Sequence, residues 1–268
     1  MRNDTRKIGA WFAYLGALVR LNSRTIVARP ALTLLSVGMM IGNNFILFAI
    51  WVIYFNKFSS IQDWTLPDMS MVLGVMAWAV GLTFVLFGGV RDLARTIVNG
   101  GLDVHLGRPR HPLPGLLISR SIPSGIGDML SALLFWLWLG ERSWAELPIL
   151  IVVSTAAAIV FTATLTATQC LVFWFPRAIS ACEDVFNMVV MVAFYPQHSY
   201  GFFVRLILFT VFPTAFISLV PAQSVRDGNH WLIVAMLGAA VFYSGVAVAI
   251  FNRGLRLYSS GNRILELR

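Results

Sequence analysis

The longest polar interruption between apolar runs, residues 91–120, is the stretch whose residue types could make the most specific contacts. It carries five arginines, and three prolines frame its second half. Guanidinium groups on a short loop can pair with carboxylates of a partner. Four apolar side chains between the charges offer further contacts, namely Val104, Leu106, Leu113 and Leu116. Any loop on the cytoplasmic side of a membrane would also be basic. The residues alone therefore leave two explanations for the arginines, contact with a partner protein and the positive-inside rule.

Enzymatic chemistry has little support in the sequence. Direct binding of ATP would need a phosphate-binding loop, G-x-x-x-x-G-K-[ST], and neither lysine, Lys7 or Lys57, follows a glycine. The four histidines are scattered over three loops without metal-ligand spacing. The only adjacent acids, Glu183 and Asp184, suit a solvated helix end. We therefore predict that the chain is not an enzyme and holds no catalytic residue, metal ion or cofactor.

Polar groups inside apolar runs are a second chemical signal. Asp128 lies in such a run, and intramembrane acids commonly mark ion paths. It lies eight residues beyond Arg120, so the sequence equally allows a position near the interface or a pair with an arginine. Asn43, Asn44 and Gln169 could hydrogen-bond between helices or touch a substrate. Both alternatives stay open for each residue.

Long apolar segments must position these groups. The chain of 268 residues is 58% hydrophobic and only 12% charged, whereas soluble domains usually have about 25% charged residues. Runs of about 20 apolar residues can cross a bilayer as helices, in which every backbone group is paired internally. The sequence predicts an all-α, polytopic integral membrane protein with no separate soluble domain.

Six transmembrane helices are predicted within a domain covering residues 31–252. The third contains Pro123 and Asp128, and the fifth contains Pro213 as a kink. Residues 178–200 include a polar break, which predicts an interfacial or re-entrant segment rather than a crossing. The six spans are residues 31–55, 69–90, 121–140, 148–175, 206–220 and 231–251.

The N-terminal segment, residues 1–30, has a different pattern from the spans. It holds six basic residues and one acid. Its apolar side chains recur at helical spacing, which predicts an amphipathic helix lying along the membrane surface. The residues that define the apolar face are Ile8, Trp11, Phe12 and Leu15.

The distribution of basic residues predicts the orientation. With both termini cytoplasmic, 17 of the 20 lysines and arginines fall on the cytoplasmic side, including those of the 91–120 loop and of a basic tail at 253–268. The positive-inside rule favours this arrangement. It also accounts for the net charge of +8 without a nucleic-acid partner. Membrane lipid is the surrounding partner that the composition implies.

Four motifs occur in order along the chain. They are G-G-L-D-V-H-L-G-R-P at 100–109 followed by P-L-P at 112–114, L-V-F-W-F at 171–175, F-Y-P at 194–196 with Pro213 and V-P at 220–221 beyond it, and N-R-G-L-R-L-Y-S-S at 252–260. Together they resemble the six-span branch of the type-2 exporter permeases of the ABC transporter superfamily. The loop resembles that family's G-x-L-D…L-x-R/K-P-x…P-L pattern, and the tail resembles its G-L-R-x-Y-x-S ending.

The resemblance implies a transmembrane permease subunit of an ATP-binding-cassette exporter in a bacterial cytoplasmic (inner) membrane. It would dimerise with itself or a paralogue, and ABC-type ATPase subunits holding ATP and Mg would drive efflux. The 91–120 loop would contain the coupling helix, and the N-terminal helix would be a connecting helix that touches the same ATPase. The implied ATPase-coupling residues are Asp103, His105, Arg108, Pro109 and Arg110.

The resemblance also implies a translocation path between two permease copies, lined by the first, second and fifth spans. Nine Trp and 20 Phe suit an apolar or amphiphilic substrate, although aromatic side chains also anchor helices at the interface. The alternative function is a stand-alone ion-coupled carrier or channel with Asp128 at its centre. The candidate path residues are Asn43, Asn44, Phe45, Trp78, Phe84 and Phe209.

Overall fold

The computed structural model describes residues 16–18, 20–22, 26, 28–58, 60, 64–107, 111–140, 143–193 and 201–258. The regular elements named for these residues are all helical, which confirms the all-α prediction. Four helices in the described part are long and apolar enough to cross a membrane: Pro30–Phe55, Leu66–Val98, Leu147–Phe173 and His230–Leu257. The predicted count of six spans is not confirmed.

Eleven helices are numbered here in chain order. The second continues through a 3-10 turn, Gly88–Asp92, into the third. The helices are α1 (Pro30–Phe55), α2 (Leu66–Phe87), α3 (Leu93–Val98), α4 (Asp103–Leu106), α5 (Pro112–Leu117), α6 (Ser124–Leu134), α7 (Leu147–Gln169), α8 (Ile179–Ala193), α9 (Phe202–Thr210), α10 (Leu219–Arg226) and α11 (His230–Leu257).

The long helices begin at local sequence signals. Pro30 occupies the first position of α1, where a missing N–H costs nothing. The α2 N-terminus is a capping box, in which the Thr65 backbone N–H donates to the Asp68 carboxylate at 3.0 Å. The Asn229 side chain caps α11 by accepting the Trp231 N–H at 3.0 Å.

Helix α2 lies at the centre of the bundle and is buried almost all round, as expected for a helix that is apolar on every face. It crosses α6 where two glycines meet, since a Cβ at Gly81 would lie 2.6 Å from the Gly125 carbonyl oxygen. Two residues later α6 meets α1, where a Cβ at Gly127 would lie 2.6 Å from the Val37 carbonyl oxygen. Small residues permit these close backbone approaches.

The predicted third span is shorter than expected. Helix α6 begins at Ser124, directly after Pro123, and continues as a π-helical turn, Phe135–Leu139. The preceding segment is fixed to the end of α2, because the Ile122 N–H donates to the Phe84 carbonyl at 2.9 Å and the Ser121 hydroxyl donates to the Val85 carbonyl at 2.7 Å.

The predicted fifth span, residues 206–220, does not form one helix. Helix α9 has 9 residues and ends at Thr210, and α10 begins only at Leu219. Pro213 has no N–H to donate to the Phe209 carbonyl, so the helix cannot continue through it unchanged. The Tyr243 hydroxyl of α11 replaces the missing donor, lying 2.9 Å from the Phe209 carbonyl oxygen and 3.1 Å from that of Thr210.

The segment predicted as interfacial or re-entrant, residues 178–200, is described as far as Ala193. It contains α8, whose Val189 and Ala193 are buried in the main hydrophobic core. The Phe186 ring of α8 lies 6.3 Å from that of Phe161 on α7. Helix α8 is therefore part of the helical bundle, and its depth in the membrane stays a prediction.

The crossing at Gly81 should control stability. We expect Gly81→Ala to lower the free energy of unfolding by about 1–3 kcal/mol, because the new methyl group would force α2 and α6 apart. The matched control is Gly238→Ala in α11, where a Cβ would have no atom within 4 Å. The measurement is reversible unfolding of the purified variants in mixed micelles. Equal stability of the two variants would contradict the glycine crossing.

Candidate coupling surface

A second hydrophobic cluster fixes the 91–120 loop against the ends of the long helices. Leu93 and Ile97 of α3 are buried, as are Leu102 and Leu113 further along the loop. They pack with residues that follow α7, begin α8 and end α11, namely Cys170, Val172, Cys182 and Phe251. The loop is thus a packed part of the fold, and its two ends lie close together.

Glycines allow the tight path of this loop. Gly100 has φ of 77°, in the left-handed region that side chains disfavour, and it separates α3 from α4. At the start of the loop, a Cβ at Gly89 would lie 2.0 Å from the Leu116 carbonyl oxygen of α5. The chain that leaves α2 therefore contacts the chain that returns to α6.

Polar side chains attach the loop to its neighbours. The buried Gln169 side chain accepts the Ala94 N–H at 3.3 Å, which favours the helix-linking role over the substrate-binding one. His111 Nδ1 caps α5 by accepting the Leu113 N–H at 3.4 Å. His111 Nε2 then carries the proton and donates to Asn252 Oδ1 of α11 at 2.7 Å.

Two arginines connect the start of the loop to α8. The Arg91 guanidinium lies 5.8 Å from the Phe84 ring centroid and 5.7 Å from that of Phe186, in cation–π contact with both. Arg95 of α3 forms an ion pair with Glu183, whose side chain is 46% exposed. The solvated helix end predicted for Glu183 therefore also holds a specific partner 88 residues away.

The outward side of the loop presents part of the predicted coupling set. Asp103 is exposed and His105 is half-buried. Val104 is 69% exposed and Leu106 is 42% exposed, so these two apolar side chains face away from the second hydrophobic cluster. The prediction was wrong for Leu113 and Leu116, which are buried in that cluster and cannot contact a partner. Arg108, Pro109 and Arg110 lie outside the described residues, as do Ile8, Trp11, Phe12 and Leu15 of the predicted N-terminal helix.

Two further contacts bind this surface to the chain termini. Burial, together with the nearby carboxylate of Asp103, raises the pKa of Tyr258 to about 12, so the phenol at the end of α11 stays protonated. Asn22, from the N-terminal segment, donates its side-chain amide to the Ile118 carbonyl after α5. Sequence patterns gave no sign of Asn22, because its partner is 96 residues away.

The described helices and loop can be compared with known protein families. A family model described as ABC-2 family transporter protein matches residues 30–261. The chain belongs to this family. The match includes all eleven helices and the whole 91–120 loop, and it confirms the resemblance carried by the four sequence motifs. No match to a curated protein or to a solved structure was found.

Family membership makes the chain an ABC-2 transporter membrane protein, a class of permease that generally works with separate ABC ATPases. The candidate path residues of such a permease lie in different surroundings within this chain. Asn43 is exposed on α1. The four aromatic candidates belong to or pack against the main hydrophobic cluster. Their nearest ring contacts, measured between centroids, are Phe45 with Phe135 at 5.4 Å, Trp78 with Trp136 at 5.5 Å, Phe84 with Phe186 at 6.0 Å and Phe209 with Phe216 at 6.0 Å.

Asp128 lies at the junction of α1, α2 and α6 and is 1% exposed. Asn44 Nδ2 of α1 donates to its Oδ1 atom at 2.8 Å, while Oδ2 has no hydrogen-bond partner among the described residues. Arg120, the nearest arginine in the sequence, pairs instead with Asp92. The geometry supports the structural role for Asp128 and Asn44, which join α6 to α1.

Replacing Asp128 separates its structural role from a role in an ion path. Asp128→Asn keeps an oxygen that can accept from Asn44, so we expect little change in unfolding free energy. Asp128→Leu leaves the buried Asn44 amide unpaired and should cost about 1–3 kcal/mol. The measurement is unfolding in mixed micelles, with the exposed Asn43→Leu as control. Normal stability of Asp128→Asn with complete loss of transport would instead favour an ion-coupled carrier.

Proposed function

We infer that this chain is the permease subunit of an ATP-binding-cassette exporter, forming the translocation path as a dimer and driven by separate cytoplasmic ATPase subunits. The observation that carries the proposal is the family match over residues 30–261. The sequence has no phosphate-binding loop, so ATP and Mg would be held by the partner. The proposed location is a bacterial inner membrane, as the family resemblance implies, and the distribution of arginines supports cytoplasmic termini.

The 91–120 loop is the proposed docking surface for the ATPase. Helix α4 is a single turn whose outward residues Asp103, Val104 and Leu106 are exposed, while Leu102 directly before it is fully buried. A short helix held from below in this way can present a mixed charged and apolar face with little loss of entropy on binding. Arg108 and Arg110 follow it in the sequence and suit acidic groups on a partner.

Contacts around the loop support a route by which ATPase movement would reach the spans. Arg91 lies against rings of both α2 and α8, and Arg95 pairs with Glu183 of α8. Exposed ion pairs contribute only about 0–1 kcal/mol to stability. Their proposed importance is therefore positional, since they oblige α3 and α8 to move together when the loop is displaced.

A second permease copy is proposed to pack against α1. The outward face of this helix carries Gly38 and Gly42, and a Cβ at either would meet no atom within 4 Å. Asn43 and Met39 are exposed beside them. A G-x-x-x-G spacing lets two transmembrane helices approach closely, and a polar side chain at the same face can hydrogen-bond across the contact. Either an identical chain or a paralogue with a matching face would fit.

Docking is tested by copurification from native membranes. The variant Val104→Glu with Leu106→Glu should lose an ABC ATPase that the unchanged tagged chain retains. The reason is that two apolar side chains that the ATPase would cover become charged. The matched control is Phe58→Glu. Phe58 is an exposed apolar residue between α1 and α2, whereas the loop follows the other end of α2. The measurement is quantitative mass spectrometry of the eluted ATPase, with the folded fraction of each variant checked by gel filtration.

Each outcome of this copurification has a distinct meaning. Loss in the double variant alone supports both the pump and its docking surface. Retention of the ATPase in every variant would keep the pump and reject the loop as the docking surface. Failure to recover any ATPase with the unchanged chain would contradict the proposal and favour a stand-alone carrier or channel.

The dimer is tested by disulfide crosslinking through α1. Asn43→Cys should form a crosslinked dimer upon mild oxidation in membranes, because the two copies would meet at this face. Both native cysteines are buried, so background crosslinking through them should be low. Val241→Cys on α11, an equally lipid-accessible position at 76% exposure, is the control. Stronger crosslinking at residue 241 than at residue 43 would reject the α1 interface.

A further inference from the structure

A cavity of about 170 Å³ lies between the 91–120 loop and the long helices. Its inner wall comes from Leu113 and Leu117 of α5, Ala163 of α7 and Ala247 of α11. Its outer wall includes Ile159 and Val248, which are exposed on the sides of α7 and α11. The cavity therefore opens sideways, between two helices long enough to span the membrane, and not toward the loop's solvent side.

The lining is apolar even where it contains hydroxyl groups. Thr162 donates its hydroxyl to the Ala158 carbonyl at 2.8 Å, and Thr166 donates to the Thr162 carbonyl at 2.7 Å. Both hydroxyls are thereby satisfied within α7. An apolar cavity of roughly 150 Å³ stays free of water and can bind a ligand the size of benzene. A cavity of this kind facing the bilayer is suited to hydrocarbon.

Positive charge lies beyond the cavity along the axis of α11. Arg253 and Arg256 are exposed in the last turns of α11. They follow Val248 by about 7.5 and 12 Å along the helix axis, from its rise per residue. Helix α11 runs from the cavity toward the side of the membrane that holds the 91–120 loop. On that side, anionic phospholipid headgroups attract arginine.

We propose that this cavity binds one acyl chain of an anionic phospholipid from the cytoplasmic leaflet, with the headgroup near Arg253 and Arg256. The chain would contact α5, α7 and α11 at the same time. The hydrogen bond between His111 and Asn252 already joins the start of α5 to α11. A bound lipid would thus hold the loop against the spans. The binding claim rests on membership of a membrane family and is independent of ATPase docking.

The test is photo-crosslinking of the full chain in its membrane complex. The complex is reconstituted in phosphatidylethanolamine and phosphatidylglycerol vesicles that contain a trace of phosphatidylglycerol with a mid-chain diazirine. After irradiation, peptide mass spectrometry should find label on residues 113–117 as well as on the lipid-facing surface. Leu113 is only 3% exposed, so bulk lipid cannot reach it except through the cavity.

Filling the cavity provides the decisive comparison. Ala163→Phe should reduce the label on residues 113–117 several-fold, whereas Val152→Phe, on the exposed side of α7 and outside the cavity lining, should leave it unchanged. Ser244→Leu at the cavity wall is a second, smaller filling variant should Ala163→Phe fail to fold. Label confined to exposed side chains, undiminished label in a folded filling variant, or a second protein copy occupying the cavity would each overturn the proposal.

Discussion

Backbone contact between α2 and α6 at Gly81 and Gly125 is the constraint on which the arrangement of the other helices depends. Within a bilayer the lipid tails are as apolar as the side chains, so helices associate through close packing and polar contacts. Gly127 brings the same helix against α1, where its missing side chain accommodates the Val37 carbonyl. Helix α6 is thereby held between α1 and α2, and Asp128 is carried into a dry junction where Asn44 supplies its hydrogen bond.

The absence of a side chain at two glycines also explains how the loop after α2 is held against its neighbours. Gly88 and Gly89 let the departing chain touch the carbonyls of Arg120 and Leu116, so the loop is closed at its base. Its apolar residues then pack on the ends of α7 and α11, and its arginines reach α8. A force applied at α4 would consequently act on several helices at once, because the described parts of this loop contact α7, α8 and α11.

Sequence patterns were sufficient for the features that depend on local composition. The length of the apolar runs indicated α1, α2, α7 and α11. The spacing of the motifs also indicated the family. Hydropathy failed at residues 206–220, because an apolar window has the same composition whether it forms one long helix or two short ones separated at Pro213.

Contacts between distant residues could not be predicted from the sequence. The pair between Arg95 and Glu183 joins positions 88 apart, and nothing near either residue specifies the other. The role of Gln169 was ambiguous for the same reason. The sequence around a buried amide is the same whether its partner is a backbone N–H or a substrate. Its position beside Ala94 decided the matter. Tertiary geometry, not local pattern, supplied each of these assignments.

The positions of the candidate path residues bear on where a path could lie. Phe84 is covered by Phe186 and Arg91, and Phe45 packs on Phe135, so these rings are committed to contacts within one chain. Asn43 differs because its side chain is exposed on a helix of apolar composition, where a polar group facing lipid is unfavourable. A path along the outer face of α1 would use this residue and leave the helical core intact. Such a path needs a second wall, and a second permease copy packed near α1 would provide it.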